Sequence, residues 1–568
     1  MSTEVLPGTP ELTVERNVDV PLAGGVTSYA DVYRPRSSDP LPALVISTPY
    51  DKQDAESNVG FAHPSWFARQ GYVVVSHDVR GRFKSEGTFV PFFHEGEDVA
   101  SLVEWAAQLD GCDGRVATYG FSYPGLNQLL AAQRQPAPLQ AIAPSFTAGS
   151  PYREWFYSQG ALGLAFAASW ANYLAMDTAA RREDDATLAQ LGASLADSQK
   201  WYWALPINAY PPLAEGRAPY FFDWVGHPTF DEFWQGIEVD HARIQLPGLH
   251  VGGWYDVFVR GTIRTFTELT RAGHAPQKLV IGPWHHMPWK PLGGESPEAG
   301  PSVVDDWHVR FWNETLKGES TDVFDAAVSA YVMGDGWHEA DAWPPSATTP
   351  TAWFLHSEGR AASSFGDGTL TTTPPDEEPP DVYSYVAGNP AMSMGGRSCC
   401  IELLAPMGPV DQSGREETRL VLVYTSAPLE EELLLLGDVS LTLFASSSAT
   451  DTDFCARLCR VNEAGSSMNL TEGIVRARFR ESLTSPTPIE PGRVYEYTID
   501  MGPVGARIAP GERVRASVSS ADFPLYDRNL NTGGPLYAEP ASAEVLATQS
   551  VLHDAEHPSR ITLPVFRP

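Results

Sequence analysis

The 568-residue sequence has few cysteines, a deficit of positive charge and no long apolar run. Its five cysteines, including the adjacent Cys399 and Cys400, are too few and too scattered for a disulfide scaffold, which predicts thiols in a reducing compartment. The net charge of −32 disfavours nucleic acid and anionic membrane surfaces as partners. The longest weakly polar stretch, residues 160–170, is too short to cross a bilayer. We therefore expect a cytoplasmic protein with neither kind of partner.

Length and composition indicate a folded protein of several domains, because 43% of the residues are hydrophobic and only 19% are charged. Short apolar runs alternate with helical patterns between residues 41 and 145, and this alternation resumes near Leu249. The pattern predicts an α/β fold with an open parallel sheet covered on both faces. It is interrupted by an alanine-rich, aromatic-rich stretch that predicts a helical cap.

From about residue 350 the texture changes to short β-rich runs separated by Gly, Pro, Ser and Thr. Several runs alternate apolar and polar residues, which predicts a jelly-roll β domain of antiparallel strands. The predicted divisions are an α/β core at 1–145 and 241–350, a helical cap at 146–240 and a β domain at 351–568. Exposed sheet edges in the β domain could pair with a second copy, so a homodimer is one expectation.

The strongest local signal surrounds Ser122, in the motif G-F-S-Y-P-G at residues 120–125. A strand is predicted before this serine and a helix after it, as in the nucleophile elbow of an α/β-hydrolase. Such a turn exposes the serine hydroxyl beside helix N–H groups that can bind an oxyanion. The common form is G-x-S-x-G, whereas here Pro124 holds the second glycine position and Gly125 follows it.

A serine needs a histidine to take its proton and a carboxylate to orient that histidine. In α/β-hydrolases both partners follow the serine in the order acid, then histidine. Asp256 follows the predicted strand at 249–253, and the pair His285-His286 follows the predicted strand at 278–282. The order therefore agrees with a Ser-Asp-His triad, and the histidine pair leaves two candidates for the base.

The chain resembles the superfamily of serine hydrolases that contains cocaine esterase and Xaa-Pro dipeptidyl-peptidase, most closely its cocaine esterase branch. The resemblance extends from about residue 27 to residue 564. The motifs that carry it, besides the serine motif, are T-P-Y-D-K at 48–52, D-V-R-G-R-F-K-S-E-G at 78–87, G-G-W-Y-D at 252–256, G-P-W-H-H at 282–286, D-T-D-F at 451–454 and F-P-L-Y-D-R-N-L-N-T-G-G at 523–534.

This resemblance implies a three-domain esterase with Ser122 as nucleophile, Asp256 as acid and His286 as base. It also implies an oxyanion hole formed by the Tyr50 hydroxyl and the Tyr123 backbone N–H. Where the family often has G-P-W-S-H, this chain has His285 before His286, so His285 is the runner-up for the base.

The rings that the resemblance assigns to an acyl pocket are Trp155, Phe156, Trp170 and Phe258. They predict a small-molecule ester substrate with an aromatic or apolar acyl group. The spacing around Trp155 departs from the family's pattern, which leaves the shape of the pocket open there. Any single ring could equally fill a small helical core.

Other interpretations of the same residues stay open at this point. Asp256 could be a carboxylate of a surface loop, and Tyr50 could be a packed core ring. The histidine pair could suggest a metal site, but adjacent residues of an extended segment point in opposite directions and no third ligand is recognisable nearby. We therefore expect no metal and no cofactor.

Two other functions compete with a carboxylesterase. The first keeps the triad but recognises a free ammonium group, as in an Xaa-Pro dipeptidyl-peptidase or an α-amino-acid ester hydrolase or acylase. The second is a catalytically silent protein whose β domain binds a carbohydrate or a protein partner. A serine, an acid and a histidine in the order of a hydrolase argue against the silent protein.

Overall fold

Two large β-sheets organise the computed structural model, which describes residues 2–5, 12–53, 62–286, 292, 302–399 and 406–568. The first sheet contains eleven strands in the order β1-β2-β3-β5-β4-β6-β7-β10-β11-β12-β13. The strands of this sheet and of a short hairpin, β8–β9, are β1 (Ser2–Val5), β2 (Leu12–Leu22), β3 (Val26–Pro35), β4 (Leu41–Thr48), β5 (Val73–Asp78), β6 (Cys112–Phe121), β7 (Leu139–Ser145), β8 (Tyr157–Ser158), β9 (Ala161–Leu162), β10 (Gly248–Tyr255), β11 (Gln277–His285), β12 (Val328–Val332) and β13 (Gly336–Ala340).

The centre of this sheet is parallel, from β5 through β4, β6, β7, β10 and β11 to β12. These strands are almost continuous runs of buried apolar residues, as expected for a sheet covered on both faces. The described helices are α1 (Pro64–Arg69), α2 (Glu95–Ala106), α3 (Tyr123–Ala132), α4 (Leu164–Arg181), α5 (Asp185–Ala196), α6 (Ser198–Tyr202), α7 (Pro219–Gly226), α8 (Glu232–Gln235), α9 (Val259–Ala272), α10 (Ser302–Lys317) and α11 (Ser413–Glu416). The expected α/β-hydrolase core is confirmed.

The second sheet is built almost entirely of antiparallel pairs, with β15 and β17 as a parallel exception. The 15-residue strand β18 alternates buried and partly exposed positions, the pattern of a sheet with one wetter face. The strands of the second sheet are β14 (Thr348–His356), β15 (Thr369–Thr371), β16 (Asp381–Tyr385), β17 (Leu422–Thr425), β18 (Leu433–Ser447), β19 (Asp453–Val461), β20 (Ser467–Arg476), β21 (Tyr495–Ile508), β22 (Arg513–Ser519), β23 (Ala547–Leu552) and β24 (Arg560–Phe566).

The chain between β7 and β10 carries helices α4 to α8 and a single π-helical turn at Pro151–Phe156. Its buried rings share one hydrophobic core with the first sheet and with α3. A second core joins α9, β10 and β11 to the strands of the second sheet. The residues that follow β10 and β11 therefore lie where these two cores meet.

Of the described cysteines, Cys112, Cys455 and Cys459 are free thiols. Cys399 is disulfide-bonded, so the prediction of a thiol is wrong for this residue. The number and scatter of cysteines along a chain cannot reveal a single disulfide. In the part of the chain that the structure describes, no helix is both long and apolar enough to cross a membrane.

Candidate active site

Ser122 occupies a strained turn between β6 and α3. Its backbone angles are φ 62° and ψ −127°, and such a conformation costs a non-glycine residue about 1–3 kcal/mol. Gly120 has φ 144°, and a Cβ atom there would lie 2.5 Å from Cβ of Pro124. A Cβ on Gly125 would lie 2.7 Å from Cβ of Thr147, which follows β7. Close packing therefore requires the glycine at each end of the serine motif.

Ser122, His286 and Asp256 form a continuous hydrogen-bonded chain. His286 Nε2 lies 3.0 Å from Ser122 Oγ, and His286 Nδ1 lies 2.7 Å from Asp256 Oδ1. All three side chains are buried. Because Asp256 fixes the proton on Nδ1, Nε2 is left free to accept the serine proton. His285 instead ends β11, where its backbone is paired with that of Tyr255.

Sheet topology explains how these distant residues meet. Tyr50, Ser122, Asp256 and His286 each follow the carboxyl end of a parallel strand, namely β4, β6, β10 and β11. The carboxyl ends of parallel strands share one edge of the sheet, where α/β proteins bind their ligands. Each polar side chain is thus carried to the same place by a buried, rigid strand.

Apolar rings enclose the imidazole of His286. Its ring centroid lies 5.4 Å from that of Phe121 and 5.2 Å from that of Phe258. The residue before Asp256 is anchored to the second sheet, because the hydroxyl of Tyr255 donates to the carbonyl oxygen of Asn469, on β20, at 2.7 Å. A dry environment strengthens the electrostatic interactions between the three polar groups.

Tyr50 follows β4 and brings its hydroxyl to the same edge of the sheet. The indole N–H of Trp170, on α4, donates to this hydroxyl at 2.9 Å. Burial raises the pKa of the Tyr50 phenol, and the bond from Trp170 offsets that rise only in part. Ser122 also lowers the pKa of this phenol, by less than Trp170 does. Tyr50 therefore keeps its proton near neutral pH, and its hydroxyl can donate a hydrogen bond to an anion.

Tyr123 is the first residue of α3, and the first N–H groups of a helix have no partner within the helix. Its side chain is turned away to a buried contact, where the hydroxyl donates to a carboxylate oxygen of Glu95 and accepts the backbone N–H of Phe92. Burial and the nearby Glu95 raise the pKa of Tyr123. The backbone of this residue, and not its phenol, is therefore available to the site.

The four predicted pocket rings occupy different depths. Phe258 lies against His286, and Trp155 stacks on Phe258 with centroids 4.1 Å apart. Trp170 stacks 5.9 Å from Phe166, which also packs edge-on against Phe258. Phe156 lies further from the histidine, stacked on Trp224 at 4.1 Å. The structure therefore places Phe258 against the histidine and Trp155 against Phe258. Trp170 lies beside Tyr50, and the ring of Phe156 lies 6.0 Å from that of Trp170.

Two hydrogen-bonding roles at the site had no signal in the sequence. Trp170 is predicted only as a pocket ring, yet its N–H holds the Tyr50 hydroxyl 120 residues away in the chain. Glu95 stands at the acidic start of α2, where carboxylates commonly favour the helix N-terminus. Only the fold reveals that Glu95 receives the hydroxyl of Tyr123.

Taken together, a strained serine, an imidazole oriented by a carboxylate and two candidate oxyanion donors define a serine hydrolase of the α/β-hydrolase fold. Within the described residues, no group of three or more His, Cys, Asp or Glu side chains could hold a metal ion.

The chain belongs to the X-Pro dipeptidyl-peptidase (S15) family. Residues 24–288 match the model of this family, and residues 324–562 match that of the X-Pro dipeptidyl-peptidase C-terminal non-catalytic domain. The chain is 36% identical over 577 residues to the cocaine esterase of Rhodococcus sp. strain MB1 Bresler, a match that covers 98% of this chain and 99% of that protein. The protein is therefore a hydrolase, and the predicted family is confirmed.

Solved structures share the whole fold. An aminopeptidase of a marine sediment Thaumarchaeota archaeon superposes with a TM-score of 0.81 at 24% identity, and covers 98% of this chain and 97% of its own. An α-amino acid ester hydrolase superposes with a TM-score of 0.83 at 22% identity and the same coverage. At these identities the likeness establishes the fold but does not identify the substrate.

Proposed function

We propose that the protein is a serine carboxylesterase that hydrolyses esters with an aromatic or apolar acyl group through an acyl-enzyme. The observation that carries this proposal is the hydrogen-bonded chain from Ser122 through His286 to Asp256, set among the rings of Phe258 and Trp155. The printed name of the Rhodococcus relative, cocaine esterase, supports ester chemistry.

In the first half of the reaction, His286 Nε2 takes the proton of Ser122 while the serine oxygen attacks the ester carbonyl. Asp256 stabilises the imidazolium that forms. The carbonyl oxygen becomes an oxyanion, which accepts hydrogen bonds from the Tyr50 hydroxyl and the Tyr123 backbone N–H. The tetrahedral intermediate collapses, His286 returns the proton to the leaving alcohol and an acyl-Ser122 ester remains.

In the second half, water enters in place of the alcohol. His286 removes a proton from this water, whose oxygen attacks the acyl-Ser122 carbonyl through a second oxyanion at the same donors. Collapse releases the carboxylic acid and returns the proton to Ser122. The cycle uses the chain's own side chains and one water, and needs no other reactant.

The surroundings of the histidine favour an apolar acyl group over one bearing an ammonium group. Recognition of an ammonium group requires a carboxylate near the serine. Glu154 lies next to Trp155 in the chain, but its carboxylate pairs with Arg264 at 2.6 Å. Phe258, two residues after Asp256, instead places an apolar ring against the histidine.

The test compares three substrates with one leaving-group chemistry: 4-nitrophenyl benzoate, the 4-nitrophenyl ester of an α-amino acid, and an Xaa-Pro-4-nitroanilide. We expect kcat/KM to be highest for benzoate and the anilide to be hydrolysed slowest. A preference for the α-amino ester would move the protein to the α-amino-acid ester hydrolases, and a preference for the anilide to the peptidases.

The domain limits, the jelly-roll topology, the cytoplasmic location and the homodimer stay predictions.

A further inference from the structure

A cavity lies where α9, the insertion and the second sheet meet. We call it the junction cavity and define it by Trp155, Phe166, Val257, Arg260, Arg397 and Glu472. One side is apolar, and its Trp155 is the ring that stacks on Phe258 beside the histidine. The opposite side carries charged groups from α9, β20 and the segment before Cys399. The cavity thus adjoins one wall of the candidate active site.

The cations of the junction cavity have N–H groups that bond to nothing in the described part of the chain. Arg397 is only 5% exposed, and its Nη2 donates to the carbonyl oxygen of Met501 at 2.5 Å. Its Nε and Nη1 have no hydrogen-bond partner among the described residues, and neither has Nε of Arg260. The nearest carboxylate oxygen to Arg260 Nε belongs to Asp500, at 3.7 Å.

A glycine lets the two guanidinium groups approach each other. A Cβ atom on Gly502 would lie 2.4 Å from Nη1 of Arg397 and 2.7 Å from Nε of Arg260. Gly502 also has φ 71°, a conformation in which glycine is favoured. The two unpartnered edges therefore converge on one place, which a side chain at this position would fill.

The acids around the junction cavity are already engaged through one oxygen each. Glu472 Oε1 accepts the backbone N–H of Arg397 at 2.8 Å, and Glu154 Oε1 pairs with Arg264. The second oxygen of each carboxylate is buried and lacks a partner among the described residues. Burial raises the pKa of Glu154 to about 7, which weakens its negative charge near neutral pH.

The charges around the two arginines differ. Burial and the charge of Arg260 lower the pKa of Arg397, and nearby acidic groups offset part of this fall. Burial also lowers the pKa of Arg260, but the charges of Asp500 and Glu472 help to raise it above its usual value. A buried donor left unpaired costs about 1–3 kcal/mol, and more when it is charged.

We propose that the junction cavity binds a small organic carboxylate. The carboxylate oxygens accept N–H groups of Arg397 and Arg260, since a guanidinium edge matches the two oxygens of a carboxylate. The apolar body of the ligand rests against Trp155 and Phe166. Water could fill the same space and accept hydrogen bonds, but a single water does not present two acceptor oxygens held on one planar group, as a carboxylate does.

Binding at the junction cavity is tested where no turnover occurs. Benzoate and its neutral isostere benzamide are titrated calorimetrically into Ser122→Ala at constant ionic strength. We expect benzoate to bind at least about tenfold more tightly, the gain of one charge-assisted contact. Arg397→Gln in the same background should remove this preference, and Arg397→Lys should retain part of it. Equal binding of the two ligands, or a preference that survives Arg397→Gln, would overturn the proposal.

A second measurement keeps the proposal testable if Arg397→Gln fails to fold. Crystals of Ser122→Ala are soaked with 4-bromobenzoate, and the bromine is located by its anomalous scattering. We expect a bromine peak on the Trp155 side of the junction cavity, with the carboxylate at Arg397. A peak only beside residue 122, or no peak at concentrations that saturate binding in solution, would contradict the site.

Two sources could supply such a carboxylate, and both rest on the proposed function. One is the acid released by ester hydrolysis, and the other is a carboxylate carried by the ester substrate. Inhibition of ester turnover by benzoate that Arg397→Gln relieves would identify the released acid. A fall in kcat/KM for 4-nitrophenyl hydrogen terephthalate, but not for 4-nitrophenyl methyl terephthalate, in Arg397→Gln would identify a substrate carboxylate.

Discussion

At the scale of single residues, the contribution of the Tyr50 hydroxyl to kcat can be measured separately from that of its ring. Tyr50→Phe keeps the ring and removes the proposed oxyanion donor, so we expect kcat to fall by roughly 10²–10³-fold with KM little changed. The matched control is Tyr173→Phe, because Tyr173 is 49% exposed and its ring lies 6.1 Å from that of Tyr50. Steady-state kinetics on 4-nitrophenyl benzoate check both variants. A kcat for Tyr50→Phe within about twofold of wild type would remove Tyr50 from the oxyanion hole.

Trp170 acts on the reaction only through Tyr50 in this account. Trp170→Phe removes the N–H that orients the hydroxyl, which should lower kcat by about five- to tenfold, the value of one neutral hydrogen bond. In a Tyr50→Phe background the same change should have almost no further effect on kcat, which a double-mutant cycle measures. Trp155→Phe, a ring substitution in the proposed acyl pocket, should change KM instead. Additive effects of the two substitutions on kcat would show that Trp170 does not work through Tyr50.

The residues of the hydrogen-bonded chain could be predicted because chemistry restricts their order and their places at strand ends. Ser122 was marked by glycines that the fold requires, and Asp256 and His286 by the apolar strands before them. The resemblance favours His286 over His285, and in the structure His286 contacts both Ser122 and Asp256. The bond from Trp170 to Tyr50 could not be predicted, because no local pattern records a contact between an insertion and a distant loop.

At the scale of secondary-structure elements, Glu95 links the start of α2 to the start of α3. Burial raises its pKa to about 7, against about 4.3 when unfolded. The folded state then binds the proton more tightly, so this group's stabilisation is present below pH 4 and is lost as the pH rises through 7. We expect the free energy of unfolding of wild type to fall relative to that of Glu95→Gln by about 2 kcal/mol between pH 5 and 8.

Urea unfolding at several pH values measures this difference. Glu97→Gln is the matched control, since Glu97 lies in the same helical turn with a side chain that is 61% exposed. The Glu97→Gln difference from wild type shows what the same substitution does in this turn without burial, and the Glu95→Gln difference is compared with it. A Glu95→Gln difference that changes with pH no more than the Glu97→Gln difference would show that Glu95 is charged throughout.

The strands of the α/β core can be predicted because a strand buried on both faces is a continuous run of apolar residues. The residues at which its helices begin are harder to predict. The helix predicted after Ser122 begins at the next residue, Tyr123, because Pro124 is accepted in the first turn of a helix. In the alanine-rich stretch that predicts a helical cap, α4 begins only at Leu164, since Ala161 and Leu162 pair in the hairpin β8–β9.

At the scale of the whole molecule, β10, β11 and β12 of the first sheet share a hydrophobic core with the second sheet. Trp254 on β10 packs so closely that a Cβ on Gly505 of β21 would lie 2.3 Å from its ring. Tyr255 bonds to β20 from the residue before Asp256. We therefore expect calorimetry to show one cooperative unfolding transition in which activity and both sheets are lost together. Two resolved transitions would mean that the second sheet folds independently of the site.

The central claim is that Ser122 carries the acyl group, and mass spectrometry of the enzyme mixed with 4-nitrophenyl benzoate, intact and after proteolytic digestion, tests it most directly. We expect a single benzoyl adduct on the peptide that contains Ser122 in rapidly quenched wild type. Ser122→Ala should form no adduct and should lose on the order of 10⁴-fold or more in kcat. An adduct on another residue, or turnover retained by Ser122→Ala, would contradict the account.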